Sequence, residues 1–227
     1  MIRLHVIAEG QTEQNFVKRI LAPHLALLNI TAFARCVLTS KDKGAAKEYR
    51  GGVPNYGKAK NDIQTWLRED RRGKDYFTTM FDLYGLPKDF PGYSEANTKT
   101  DPYEKIKILE NCMAENIRDS RFIPYIQLHE FEALILAAPQ QLDWEYLEHD
   151  RQIKALLSMV GKQNPELIND GPETAPSKRI LKEIPAYNKA TAGPAVAEKI
   201  GLPTLRAKCP HFNEWLSKLE NLAGGNS

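Results

Sequence analysis

The chain is poor in cysteine, has no long apolar run and carries almost no net charge. Cys36, Cys112 and Cys209 are the only cysteines in 227 residues. They lie too far apart for a disulfide framework or a zinc-binding spacing, and reduced thiols in a cytosolic protein are the simple reading. No apolar stretch approaches the roughly 20 residues needed to span a bilayer. The opening residues Met1-Ile2-Arg3-Leu4-His5-Val6-Ile7 are too short and too polar for a signal peptide, so a cytoplasmic location without membrane association is expected. No internal repeat or low-complexity segment is present. A chain of this length can bury a full core as one domain, or as a domain plus a small helical appendage.

Two tempting motifs lack essential parts. Gly52 to Lys58 fits the spacing of a phosphate-binding loop, but the next residue is Ala59, with no hydroxyl for magnesium, and the preceding Lys47-Glu48-Tyr49-Arg50 is too polar for the required strand. His129-Glu130 begins like a zinc-protease motif, yet Ala133 stands where the second histidine belongs. Cys209-Pro210-His211 has no partner ligands and reads as a packed turn ahead of a helix carrying Phe212, Trp215 and Leu219.

The formal charge of +2 conceals an uneven distribution. Residues 41–74 hold ten Lys/Arg against five Asp/Glu, residues 82–150 hold fourteen acids against six bases, and residues 174–218 hold eight bases against three acids. An acidic middle between basic flanks suits a metal site beside phosphate-binding surface, although solvated helix faces would produce the same counts.

The apolar pattern alternates strand and helix. Residues 4–8 form a strand candidate ended by Glu9-Gly10, and Thr12 can cap the helix that follows. Phe16, Val17, Ile20, Leu21, Leu25 and Leu28 give that helix one apolar stripe, which Pro23 should bend or divide. Residues 30–38 read as a second strand, 39–56 as a long basic loop, 57–72 as a helix and 76–81 as a third strand stopping at Asp82. A helix over about 102–118 leads to a fourth strand at 122–128. There Pro124 demands an edge position or a bulge. Residues 129–138 should be helical, and the remainder falls into short helices punctuated by prolines. Such an order predicts an α/β fold with a mostly parallel four-stranded sheet flanked by helices. The expected division is an α/β domain over residues 1–140 and a helical region over 141–227 packing on it, unless the two form one continuous domain.

In a parallel sheet, ligands gather outside the carboxyl ends of the strands. Glu9, Asp82 and Glu130 each follow a predicted strand, and Glu132 lies two residues beyond Glu130. Carboxylates converging there offer the hard oxygen ligands that Mg²⁺ prefers. Acids after strands also serve as helix caps and as favourable charges at helix N-termini, and that alternative stays open for each of them. On a helix, Glu132 would sit one turn from His129, so both would face the site.

Several of these segments match a known pattern. Ala8-Glu9-Gly10-Gln11-Thr12-Glu13 resembles the first motif of TOPRIM domains, and Phe81-Asp82-Leu83-Tyr84-Gly85 lies where those domains usually carry Asp-x-Asp. With His129-Glu130-Phe131-Glu132-Ala133-Leu134, Thr174-Ala175-Pro176-Ser177-Lys178-Arg179 and Cys209-Pro210-His211-Phe212, the chain resembles a bacterial domain-of-unknown-function family of the TOPRIM-like superfamily, related to OLD-type nucleases. The resemblance implies a TOPRIM-like fold and a Mg²⁺- or Mn²⁺-dependent nuclease. Glu9 would be a metal ligand or general acid/base, Asp82 a metal ligand, and Glu130 or Glu132 a third ligand replacing the second acid, which here is Tyr84. It also implies a separately encoded ATPase as partner, in phage defence.

Ser177, Lys178 and Arg179 should open a helix, a good place for phosphate. OLD-type nucleases use a lysine near the metal, a role the resemblance passes to Lys178, with Arg179 next. Arg50 and Lys58, interleaved with Tyr49 and Tyr56, suggest a loop contacting nucleic acid, though a plain surface loop fits the sequence as well. A topoisomerase is excluded for want of strand-passage machinery. Water is therefore the expected nucleophile. The competing expectations are a non-catalytic partner of an ATPase or of nucleic acid, and an enzyme acting on small phosphate esters. A homodimer is left open.

Overall fold

The computed structural model describes residues 1–37, 53, 55–169 and 171–224. Among these described residues five strands form the sheet: β1 (Ile2–Ala8), β2 (Ile30–Cys36), β3 (Tyr76–Asp82), β4 (Phe122–Ile123) and β5 (Ile126–Gln127). The order is β2-β1-β3-β4, with β5 also on β3, and every pairing is parallel. Register runs from Ile2 opposite Ile30 to Ala8 opposite Cys36, and from Leu4 opposite Tyr76 to Ala8 opposite Met80.

The central strands β1 and β3 are buried on both faces, so their side chains divide with period two between two cores. Leu4, Val6 and Met80 enter one core, while Ile7, Phe77 and Phe81 enter the other. Over the first face lie α1 (Gln11–Phe16), a π-helical segment Val17–Leu21 and α2 (Ala22–Ala26). Pro23 has no N–H to donate, and the helix widens just ahead of it without breaking. Phe16, Val17, Ile20, Leu21 and Leu25 are buried as the stripe requires, whereas Leu28 is partly exposed beyond the helix end.

Over the second face lie α3 (Tyr56–Glu69), α4 (Tyr93–Ala96) and α5 (Pro102–Ile117). The predicted fourth strand proves to be two short pieces. Pro124 interrupts it at the sheet edge, and the Thr79 hydroxyl spans the gap, accepting the Tyr125 N–H and donating to the Tyr125 carbonyl, each at 2.9 Å. After β5 come α6 (Glu132–Ile135), α7 (Asp150–Val160), α8 (Pro176–Glu183), α9 (Ala192–Ile200), α10 (Leu202–Lys208) and α11 (Pro210–Glu220). Residues from this half, including Ile180, Val196, Phe212, Trp215 and Leu219, share the first core with Leu4 and Val6. Trp215 Nε1 donates to Thr78 Oγ1 of β3 at 2.9 Å. Among the described residues, no helix is long and apolar enough to cross a membrane.

Three local expectations are corrected. Gly10, not Thr12, occupies the cap position of α1, and the Glu13 carboxylate reaches back to accept the Gly10 N–H at 2.8 Å. The helix expected over 129–138 shortens to α6, because His129 takes a left-handed conformation with φ 61° and cannot belong to it. Thr174 does not cap α8; its hydroxyl donates to the Gly171 carbonyl.

The connections place a crevice. From β1 the chain leaves by α1 and α2 on one face to β2, and from β3 it leaves by α4 and α5 on the opposite face to the other side of the sheet. The strand order therefore reverses between β1 and β3, and the carboxyl ends of those two strands bound the switch point where open α/β sheets bind ligands.

Candidate metal centre

Glu9 and Asp82 flank that switch point. Strand pairing carries one residue past the ladder, with the Glu9 N–H donating to the Met80 carbonyl at 3.2 Å. The Glu9 carboxylate then turns across the crevice and accepts the Asp82 N–H at 2.9 Å. Gly85, three residues beyond Asp82, makes room for it, since a Cβ at that position would stand 2.6 Å from Glu9 Oε1. The glycine of the Tyr84-Gly85 pair thus has a steric reason. Asp82 Oδ1 is buried and has no hydrogen-bond partner, an unmet acceptor of a kind that folded proteins seldom leave.

Glu130 and Glu132 arrive from the segment after β5. Glu132 is almost wholly buried; Tyr187 donates its hydroxyl to Glu132 Oε1 at 3.3 Å. Glu130 Oε2 accepts the Ser177 N–H at the start of α8, at 2.9 Å, so this carboxylate sits on a helix N-terminus. Lys189, between α8 and α9, spans the two acids, with Nζ 3.7 Å from Glu130 and 3.5 Å from Glu132. Asn15 of α1 donates to the Ala190 carbonyl at 2.9 Å and so holds the neighbouring backbone of that loop.

Electrostatics tie the acids into one group. Burial, aided by the charges of Glu9, Glu13, Glu132 and Glu130, holds the Asp82 carboxyl well above the usual carboxylate range. Burial raises Glu9 to about 7 against the lowering effect of the Asp82 N–H and of Lys189. Burial and the Glu9 charge raise Glu13 to about 7. Burial raises Glu132 to about 7, again opposed by Lys189. For Lys189 itself burial acts downward, but Glu132, Glu130 and Asp82 outweigh it and the ammonium is held above its ordinary value.

The donors offered here are all hard oxygens, the buried Asp82 Oδ1 lacks a partner, and the carboxylates repel one another. Each of these fits a divalent cation such as Mg²⁺ in kind. As the side chains stand, however, no group of three acids or histidines among the described residues is arranged to hold a metal ion. Lys189 supplies the positive charge at Glu130 and Glu132.

The other expected site residues fall around this cluster. Ser177 is buried with its N–H on Glu130; Lys178 is exposed in the first turn of α8; Arg179 Nε donates to the Thr174 carbonyl at 2.7 Å. Lys58 is exposed in the first turn of α3, whose return path along the sheet puts that end at the carboxyl edge of the strands. Arg50 lies outside the described residues. His129 is not paired with Glu132. It lies beside Tyr84, with ring centroids 5.8 Å apart, and 3.3 Å from Asn169 Nδ2. Burial lowers it to about 4 and keeps it neutral, despite the Glu166 carbonyl and the Glu130 charge. Glu13 and Lys189 were missed from sequence. The spacing of Glu13 three residues after Gly10 was a readable capping signal, whereas Lys189 stands in a polar loop with none.

Fold and site together define an α/β protein with a parallel sheet and a buried carboxylate cluster at its topological switch point. The chain belongs to the family described as domain of unknown function DUF4276, which matches residues 8–220. No curated protein matches it. Among solved structures it is similar to the C-terminal region of the Burkholderia pseudomallei OLD protein, with TM-score 0.47 and 13% identity over 98% of this chain and 99% of that one. A second similarity is to the C-terminal region of the Xanthomonas campestris pv. campestris OLD protein, with TM-score 0.46 and 15% identity over 97% and 95%.

Proposed function

We propose that this protein is a metal-dependent nuclease that hydrolyses nucleic-acid phosphodiesters at the β1/β3 switch point. The observation that carries the reading is the Glu9–Asp82 contact, made across the crevice and leaving Asp82 Oδ1 buried without a partner. Asp82, Glu9 and one or both of Glu130 and Glu132 are the residues that would hold Mg²⁺ or Mn²⁺. Such an ion supplies Lewis acidity toward a phosphate oxygen and lowers the pKa of a bound water.

The chain's own groups support phosphate chemistry in other ways. Among the described residues Lys189 is the cation paired with Glu130 and Glu132, and on binding a phosphate it would exchange these carboxylate partners for phosphate oxygens. The first turn of α8, with Lys178 and Arg179, brings a helix N-terminus and two further cations to the Glu130 side of the site. Glu9, with a carboxyl near neutrality, is suited to accept or release a proton at physiological pH. Action alongside a separate ATPase in phage defence rests on the family resemblance of the motifs alone.

A second reading, a non-catalytic partner of nucleic acid or of an ATPase, draws on Tyr84 in place of a second acid and on the Lys189 ion pairs. Incubating the purified protein with plasmid and linear DNA in Mg²⁺, Mn²⁺ or EDTA separates the two. The nuclease reading expects cutting with metal, none in EDTA, and a loss of at least about a hundredfold in Asp82→Ala, the scale of removing one group that stabilises transition-state charge. Binding without cutting in every metal would favour the second reading, and turnover of small phosphate esters alone would point to a phosphatase.

A further inference from the structure

A cavity of about 350 Å³ opens at residues that adjoin Asp82 and Glu130 in the chain, a size within the usual range of small-ligand clefts. It shares two pieces of chain with the cluster. Leu83 and Tyr84, which directly follow Asp82, line one side, and His129, which directly precedes Glu130, lines another. None of the acids lines the cavity itself, but its occupant would lie against the backbone that runs directly into Asp82 and Glu130.

The lining has a consistent chemistry. Tyr84, 38% exposed, and Tyr93, partly exposed at the start of α4, provide aromatic surface. Asn97 supplies an amide donor and acceptor beside Asn169, whose Oδ1 already accepts the Gly171 N–H at 3.0 Å, and Lys105 of α5 supplies a positive charge. Asn169 Nδ2 sits 3.3 Å from His129 Nδ1, and Lys105 is the lysine of the lining. A flat, neutral heterocycle with polar edges and an attached phosphate matches this set: rings to stack on, amides for the edge, and one cation for the anion.

We infer that this cavity seats one unpaired nucleobase of the strand whose phosphodiester reaches the carboxylates. The inference deepens the nuclease reading and rests on it for the orientation of the strand. A base in this cavity cannot remain stacked and paired in a duplex, so the protein takes single-stranded nucleic acid, or duplex only where a base can be extruded. Tyr84 thus has a use that an acid at the same position would not serve.

The test uses the full chain and a single-stranded oligodeoxynucleotide carrying one 2-aminopurine, whose fluorescence falls on stacking. Titrations are run in EDTA and again in Ca²⁺, against matched strands with an abasic site and against the duplex. The expected result is saturable quenching, with the abasic strand and the duplex each bound at least about fivefold more weakly. Tyr84→Leu and Tyr93→Leu should each weaken binding by a similar factor or more, while Tyr93→Phe, which keeps the ring, stays within about twofold of the parent. Thermal melting identifies any variant that fails to fold, and Tyr93→Phe together with the abasic comparison then carries the test alone. Equal affinity for base-containing and abasic strands, or no quenching in either EDTA or Ca²⁺, overturns the inference. Metal-dependent cutting with unchanged binding by the tyrosine variants would remove the base pocket and leave the nuclease. Base binding that depends on Tyr84 and Tyr93 without any cutting would do the reverse.

Discussion

Asp82 ends β3 at the switch point, donates its N–H to Glu9 and leaves one oxygen buried without a partner. Its neighbours bear the cost of the same crowding, since Glu9, Glu13 and Glu132 all have carboxyls raised to about 7. A carboxyl whose pKa is raised in the folded state binds more protons there than in the unfolded chain. Its stabilising contribution is complete below its unfolded pKa of about 4.5 and is lost as pH rises through about 7. The neutral His129, lowered to about 4, acts in the opposite sense, its contribution being lost as pH falls below about 6.5 toward 4. The acids' share is therefore read by difference. In metal-free protein, Glu132→Gln should gain stability relative to the parent by on the order of 1–3 kcal/mol at pH 8 and by much less at pH 5. Thermal melts at the two pH values check this, and an equal difference at both would contradict it. Glu9, Asp82 and Glu130 could be picked out from sequence because each comes just past an apolar run, and Glu132 because it lies two residues beyond Glu130. Lys189 could not, because a lysine in a polar loop looks alike whether it meets solvent or two carboxylates brought from 57 and 59 residues away.

Among the elements, those with strong periodicity were legible and those shaped by a single proline or a distant partner were less so. Short apolar or β-branched and aromatic runs identified β1, β2 and β3, and the helices α3 and α5 were placed nearly to their ends. Pro124 announced an edge or a bulge. It did not announce that Thr79, on the neighbouring strand, would take both backbone groups of Tyr125. Replacing that hydroxyl with a methyl leaves a buried N–H and a buried carbonyl without partners, so Thr79→Val should lower stability by about 1–3 kcal/mol. In a chain of this size that is a fall in Tm of roughly 2–4 °C per kcal/mol. Unchanged melting would mean that the Tyr125 backbone finds other partners. The Cys209-Pro210-His211-Phe212 segment belongs here too. The buried Glu166 carboxylate accepts the N–H groups of His211 and Phe212 at 2.9 Å each, and His211 meets Glu110 at 3.0 Å. These contacts give that motif an architectural reason in the start of α11, one that only the distant Glu166 reveals.

For the molecule as a whole, the two faces of one sheet organise everything, and the core on the first face is completed by the C-terminal helices together with α1 and α2. Phe212, Trp215, Leu216 and Leu219 of α11 lie in the same core as Leu4 and Val6 of β1. A boundary near residue 140, with one continuous domain as the alternative, was drawn from the change in pattern from strand-and-helix to proline-punctuated helices. That change marks a shift in secondary structure, and sequence periodicity carries no information on whether a core is shared across it. A fragment of residues 1–140 would lose the C-terminal share of that core, and is expected to show no cooperative unfolding transition and to aggregate. Circular dichroism melts of the fragment and the full chain decide the matter; a sharp transition in the fragment would establish a self-sufficient α/β domain.

The most direct measurement is calorimetric titration of the full chain with Mn²⁺ and Mg²⁺ at neutral pH, in two buffers of different ionisation enthalpy. If the switch-point acids share one divalent ion, binding is saturable and releases protons, because carboxyls near 7 must shed them to become ligands. Asp82→Asn and Glu9→Gln should each weaken it by tenfold or more. The account is contradicted if no binding is detected, or if binding proceeds undiminished in both variants.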